Sequence, residues 1–107
     1  MMKTNLTAHA RFDRAARFEY IIDTIGFGEP ITRLAETDPR NNKPVVYELT
    51  TTGVVIVRDP KNVVITAYIA GYEQATRIWR NSNPVKNMPS FLYKKIRQNE
   101  KVRANQP

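Results

Sequence analysis

Between Thr7 and Ile25 the apolar positions recur at intervals of three and four: Phe12, Ala15 and Ala16, Phe18, Ile21 and Ile22, then Ile25. That is the period of a helix burying one face, and it predicts either one bent helix or two short ones. Thr7 is a suitable N-cap, and Gly26 with Gly28 ends the segment by supplying the positive φ that a helix terminus often requires. The pattern then changes. A short strand at Ile31 to Leu34 and a polar break over residues 38 to 44 precede three β-branched runs, Val45 to Thr50, Val54 to Arg58 and Val63 to Ala70. Asp59-Pro60-Lys61-Asn62 has the residues of a type I turn, with proline where its fixed φ is wanted, so the last two runs are antiparallel neighbours. Thr51-Thr52-Gly53 is short enough to close another hairpin.

Helical spacing returns at Gly71 to Arg80 through Tyr72, Ala75, Ile78 and Trp79, and Asn81-Ser82-Asn83-Pro84 stops it. A last helix is expected over Ser90 to Arg103, with Ser90 as N-cap and Phe91, Leu92 and Ile96 on its apolar side. That stripe is narrow, which predicts fraying toward Pro107. The expected fold is α+β: N-terminal helices packed on a three- to four-stranded antiparallel meander, then a C-terminal helix and basic tail. Residues 1–89 form the single domain in this reading, and residues 90–107 the appended basic helix or tail.

Composition narrows the possibilities. At 107 residues one modest core is expected, and an apolar fraction of 41% is ordinary for a chain that folds. The absence of cysteine excludes disulfides, thiolate nucleophiles and cysteine-rich zinc sites. No run approaches the roughly 20 apolar residues of a membrane span or a secretory leader, so the expected location is the cytoplasm, or a target cytoplasm reached as part of a larger chain. Net charge is +7 with a pI near 10.0. Residues 1 to 70 hold nine Lys/Arg against eight Asp/Glu, whereas residues 71 to 107 hold eight against only Glu73 and Glu100. The C-terminal third therefore carries the attraction for RNA or another polyanion, an attraction that holds phosphate backbones without reading sequence.

Candidate chemistry is sparse. His9 is the only histidine, and it alone could exchange protons near neutrality without extensive tuning; on a helix it falls in the first turn with Asp13 one turn later. One histidine cannot build a histidine metal cluster, and the spacing of Asp13, Glu19 and Asp23 matches no calcium loop, so neither metal nor cofactor is expected. No phosphate-binding glycine loop, nucleophile elbow or dinucleotide fingerprint is present. In the strand from Val63 to Ala70, alternation places Val63, Ile65, Ala67 and Ile69 on one face and Val64, Thr66, Tyr68 and Ala70 on the other. With the first helix over the apolar face, Thr66 and Tyr68 look outward, where a ligand could lie.

The order of these features, from Thr7-Ala8-His9-Ala10-Arg11-Phe12-Asp13-Arg14 through Gly28-Glu29-Pro30-Ile31 to Val64-Ile65-Thr66-Ala67-Tyr68, resembles small domains of the barnase/EndoU/colicin/RelE-like ribonuclease group, which includes many bacterial toxins. The resemblance covers about residues 7 to 70 and leaves the basic tail outside. It implies helices packed on a twisted antiparallel sheet, RNA across the exposed sheet face, and metal-independent cleavage by the RNA 2′-hydroxyl. Carried over by position, His9 is the general acid or base and Thr66 and Tyr68 the late-strand pair. Arg11, Arg14 and Arg33 are candidates for the phosphate clamp. Lys94, Lys95 and Arg97 are candidate backbone contacts on charge alone, and a cognate inhibitor is an expected partner. The chain departs from the fuller pattern in lacking a second histidine and any obvious catalytic glutamate except Glu48 in mid-strand. Two other readings fit the same residues. One is a non-catalytic nucleic-acid binder in which Tyr47, Tyr68 and Trp79 stack on bases. The other is a small inhibitor or interaction protein whose basic tail meets an acidic surface.

Overall fold

The computed structural model describes the backbone of residues 8–107 and the side chains of residues 15–107; the expected N-cap Thr7 lies outside them. The chain opens with one helix, α1 (Ala8–Thr24), and not two, because no glycine or proline interrupts that span. Ile25 and Gly26 both donate to the Ile21 carbonyl, at 3.0 and 2.7 Å, and Gly26 takes the left-handed φ of 71° that closes the last turn.

Four strands follow, β1 (Pro30–Asp38), β2 (Lys43–Thr50), β3 (Val54–Arg58) and β4 (Val64–Ile69), in one antiparallel sheet of order β1-β2-β3-β4. The fold is α+β, as the periodicity predicts. β1 runs for nine residues where only Ile31 to Leu34 was expected, because its second half is polar and pairs with β2 as far as Asp38 opposite Lys43. A strand at the edge of a sheet can carry such residues without burying them. The β3–β4 turn forms as expected: Asp59 Oδ1 accepts from the amides of Lys61 and Val63, each at 2.9 Å, and Asn62 adopts φ 72°.

Both sheet faces are covered, though unequally. On one, Val45, Leu49, Val55 and Val57 are buried by Ala75 and Ile78 of α2 (Tyr72–Ser82) and by Leu92 and Ile96 of α3 (Ser90–Gln98). On the other, Val54, Ile56, Ala67 and Ile69 are buried by Ile21, with Phe18, Ile25 and Phe27 around it. Strict alternation fails once in β4. Val57 pairs with Thr66 but Arg58 with Val64, so Ile65 is an extra residue in a bulge and packs toward the α2–α3 side instead of joining Ala67 and Ile69.

Residues 90–107 are anchored to the rest of the domain through Leu92, Ile96 and Asn99, which are buried. Leu92 is 0% exposed and Ile96 3%. The expected single helix from Ser90 to Arg103 breaks at Asn99 into α3 and a short α4 (Glu100–Ala104), and Ser90 makes no capping hydrogen bond because α3 begins from Pro89. Asn99 is itself buried, and its Nδ2 donates to the Thr52 carbonyl at 2.8 Å. The buried stripe is therefore Leu92, Ile96 and Asn99, widened by a polar residue that apolar periodicity does not count. Gly53 serves twice at this junction: its φ is 84°, and a Cβ there would stand 2.9 Å from Asn99 Nδ2. The C-terminus is held as well. Tyr20 donates to the Val102 carbonyl at 2.8 Å, and Gln106 Oε1 accepts from the Ile69 amide at 3.0 Å, satisfying an outward-facing amide of edge strand β4.

Candidate nucleic-acid interface

Thr66 and Tyr68 share a face, as alternation predicts, but that face is not an open platform. α2 and α3 cover one end of it, and the two side chains instead border grooves along β4. One groove, of about 610 Å³, is lined by Arg40, Lys43, Tyr47, Val57, Thr66 and Tyr68. The other, of about 1020 Å³, lies between β4, the start of α2 and the C-terminal residues, with Tyr68, Gly71, Gln74, Arg77, Arg103 and Gln106 on its walls. Arg17 and Tyr68 line both, so the two grooves meet there.

Arg17 comes from α1 on the opposite face and reaches around the edge of the sheet. Its Nη1 donates to Thr66 Oγ1 at 3.4 Å and its Nε to the Pro107 carbonyl at 3.0 Å. Tyr68 is half-buried, and Gln74 Nε2 donates to its phenol oxygen. Burial pushes the Tyr68 phenol above its ordinary pKa of 10.0, against the smaller opposing pull of the Gln74 hydrogen bond. With Gln74 donating, the phenol keeps its own proton to offer to a ligand. Arg77 lies 2.7 Å from Glu36 Oε2 and stacks 5.7 Å above the Tyr47 ring, while Arg40 lies 3.1 Å from Asp38 Oδ2. The side-chain hydrogen bond from Arg40 holds Asp38 below the usual carboxylate range. At Gly71 a Cβ would stand 2.9 Å from Arg103 Nη2, so the backbone there runs directly against a guanidinium.

The other expected site residues are distributed differently. Arg33 points to the opposite sheet face, where its Nε is 3.2 Å from Glu48 Oε2; Arg58 holds the other oxygen at 2.8 Å. It does not join Thr66 and Tyr68, because one register step along β1 selects the face. Glu48 is buried between the two arginines and is committed to them. Lys94, Lys95 and Arg97 stand on α3, away from Thr66; Arg97 pairs with Glu100 at 3.2 Å and lies over the Tyr93 ring. Trp79, offered for stacking, is 8% exposed and donates to the Lys86 carbonyl at 2.8 Å, so it belongs to the core. His9, Arg11 and Arg14 occupy the first turns of α1, but their side chains lie outside the described residues. Among the described residues no three His, Asp or Glu side chains gather to hold a metal ion, and no helix is long and apolar enough to cross a membrane.

Sequence reasoning missed Arg17, Gln74, Arg77 and Arg103. Only Gln74 carried a local signal, six positions after Tyr68 and on the next element. Arg17 meets Thr66 across 49 positions and Pro107 across 90, contacts that no periodicity encodes. Comparison of the chain with protein-family models, with curated proteins and with solved structures gives no significant match.

Proposed function

We propose that this chain is an RNA-binding domain that acts as a metal-independent endoribonuclease, with the scissile phosphate held in the grooves beside β4. The observation that carries this reading is the meeting of Arg17, Thr66 and Tyr68 at the junction of two grooves that also hold Arg40, Lys43 and Arg103. Arg17 would neutralise the phosphorane, and the Thr66 hydroxyl would hydrogen-bond a phosphate oxygen. His9 would accept the 2′-hydroxyl proton as the 2′-oxygen attacks phosphorus. Tyr68, kept protonated by burial, would give its proton to the departing 5′-oxygen. The bond formed is 2′-O to phosphorus and the bond broken is phosphorus to 5′-O, leaving a 2′,3′-cyclic phosphate and a 5′-hydroxyl. The role given to His9 comes from the resemblance; α1 packs Ile21 against Ile69 on the opposite sheet face and brings Arg17 round the edge to Thr66. Arg11 and Arg14 on its first turns remain clamp candidates, and a cognate inhibitor would have these grooves to cover.

One observation favours binding without turnover: Arg77 and Arg40 are already engaged by Glu36 and Asp38, as in a surface built to position a backbone and not to stabilise a transition state. Incubating the pure protein with RNA in excess chelator decides between the two. Cut strands ending in 2′,3′-cyclic phosphate support the nuclease, binding without new ends supports the binder, and no binding at low salt removes both.

A further inference from the structure

Apart from the β4 grooves, the molecule has a cleft of about 700 Å³ between α2, the loop after it and α3. Its charged lining residues are Arg80, Lys86 and Lys94, with no carboxylate among them. This sets it apart from the β4 grooves, where Glu73, Glu100, Asp38 and Asp59 lie among the cations. Two aromatic rings stand at the cleft, Tyr72 46% exposed and Tyr93 39%, in edge-to-face contact at 5.5 Å. Exposed rings beside unopposed cations are the composition of a surface on which unpaired bases stack while phosphates are neutralised alongside. Tyr72 also lines the larger β4 groove, so the cleft and the Tyr68 junction are connected along one surface.

We infer that the α2–α3 cleft is an accessory subsite for single-stranded RNA, which holds nucleotides flanking those at the β4 grooves. It selects unpaired strands because stacking on Tyr93 and Tyr72 needs bases free of a helix. The inference rests on the RNA-binding reading above and adds to it a strand class and a second contact surface.

The test uses the full chain and fluorescent 2′-O-methyl RNA, which cannot be cut through its 2′-oxygen, so that binding is read apart from cleavage. Three probes are compared: a single strand of four nucleotides, a single strand of twelve, and a duplex of twelve pairs. The wild-type protein is expected to bind the twelve-nucleotide strand about tenfold or more tightly than the short strand, and more tightly than the duplex. Replacing Arg80, Lys86 and Lys94 together with Gln should lower the slope of log affinity against log salt by about 2 for the long strand, at roughly 0.7 per lost phosphate contact. Tyr93→Ala should weaken the long strand about tenfold and the short strand little. Unchanged long-strand affinity and salt slope in both variants would overturn the subsite while leaving RNA binding at β4 intact. Equal or tighter binding of the duplex would overturn the single-strand assignment, and no binding by the wild-type protein would overturn this inference together with the proposed function.

Discussion

Arg33 and Arg58 on one face of the sheet and Arg17 at its β4 edge are held in different ways. On the face shared with α1, Glu48 is buried and gives one oxygen to Arg33 and one to Arg58, so two cations are spent on one carboxylate. Along β4, Arg17 is held by the Thr66 hydroxyl and a backbone oxygen of Pro107, and it stands where two grooves join. The difference shows why a count of positive charge is a poor guide to a binding surface. A guanidinium paired with a buried carboxylate has little left to offer a phosphate, while one that uses only its Nη1 and Nε at the edge of a groove has N–H donors left for a ligand.

The sharpest way to break this contrast is at the expected chemistry. If the β4 side is a catalytic site, His9→Ala should lower the rate of RNA cleavage by about 10² to 10⁴ while the melting temperature stays unchanged, and a rate within a factor of two of wild type would leave only the binding reading. Next in size is the core beneath the cationic helices. Leu92→Ala should cost about 2–5 kcal/mol in denaturant unfolding, since Leu92 is fully buried, whereas Lys94→Ala on the exposed side of α3 should change stability by less than about 0.5 kcal/mol. A small loss at Leu92 would return residues 90–107 to the status of an attached tail. Glu48→Ala should cost about 1–3 kcal/mol by stranding the partly buried Arg58, with RNA affinity unchanged or slightly raised as two arginines are released. A fall in RNA affinity at constant fold would show that the Glu48 face takes part in binding.

The smallest effect concerns Tyr68. Burial raises its folded pKa, so the phenol is neutral in both folded and unfolded states at neutral pH and adds no pH dependence there. As pH rises through the unfolded value near 10, the unfolded chain ionises first, and stability falls from that point upward. Ultraviolet titration should show one tyrosine ionising later than expected, and that component should vanish in Tyr68→Phe. An identical titration in the two proteins would mean that the phenol is open to water.

The fold was largely legible in the sequence because its determinants are local. β-branched runs separated by Thr51-Thr52-Gly53 and Asp59-Pro60-Lys61-Asn62 leave a meander as the simplest pairing, and the uninterrupted period through Phe18 and Ile21 requires a helix with one buried side. Alternation likewise put Thr66 and Tyr68 on one face. Legibility failed where the decisive residue was polar or the contact distant. Asn99 widens the buried stripe of α3, yet it counts as a surface residue in any apolar pattern. The Ile65 bulge moves one side chain to the other face, and nothing in Val64-Ile65-Thr66 announces it.

By itself the sequence determined an antiparallel meander of three or four strands flanked by helical segments, the two positive-φ glycines after α1, and the concentration of positive charge beyond residue 70. All of these follow from residue-level sterics, periodicity and charge. Only the tertiary structure decided which arginines remain available, because pairing Arg33 and Arg58 with Glu48, and Arg17 with Thr66 and Pro107, depends on strand register and on α1 meeting the edge of the sheet. The same holds for residues 90–107. Their charge is local and visible, but their burial against Thr52, Tyr20 and Ile69 exists only once the meander has folded and offers an edge and a face to cover.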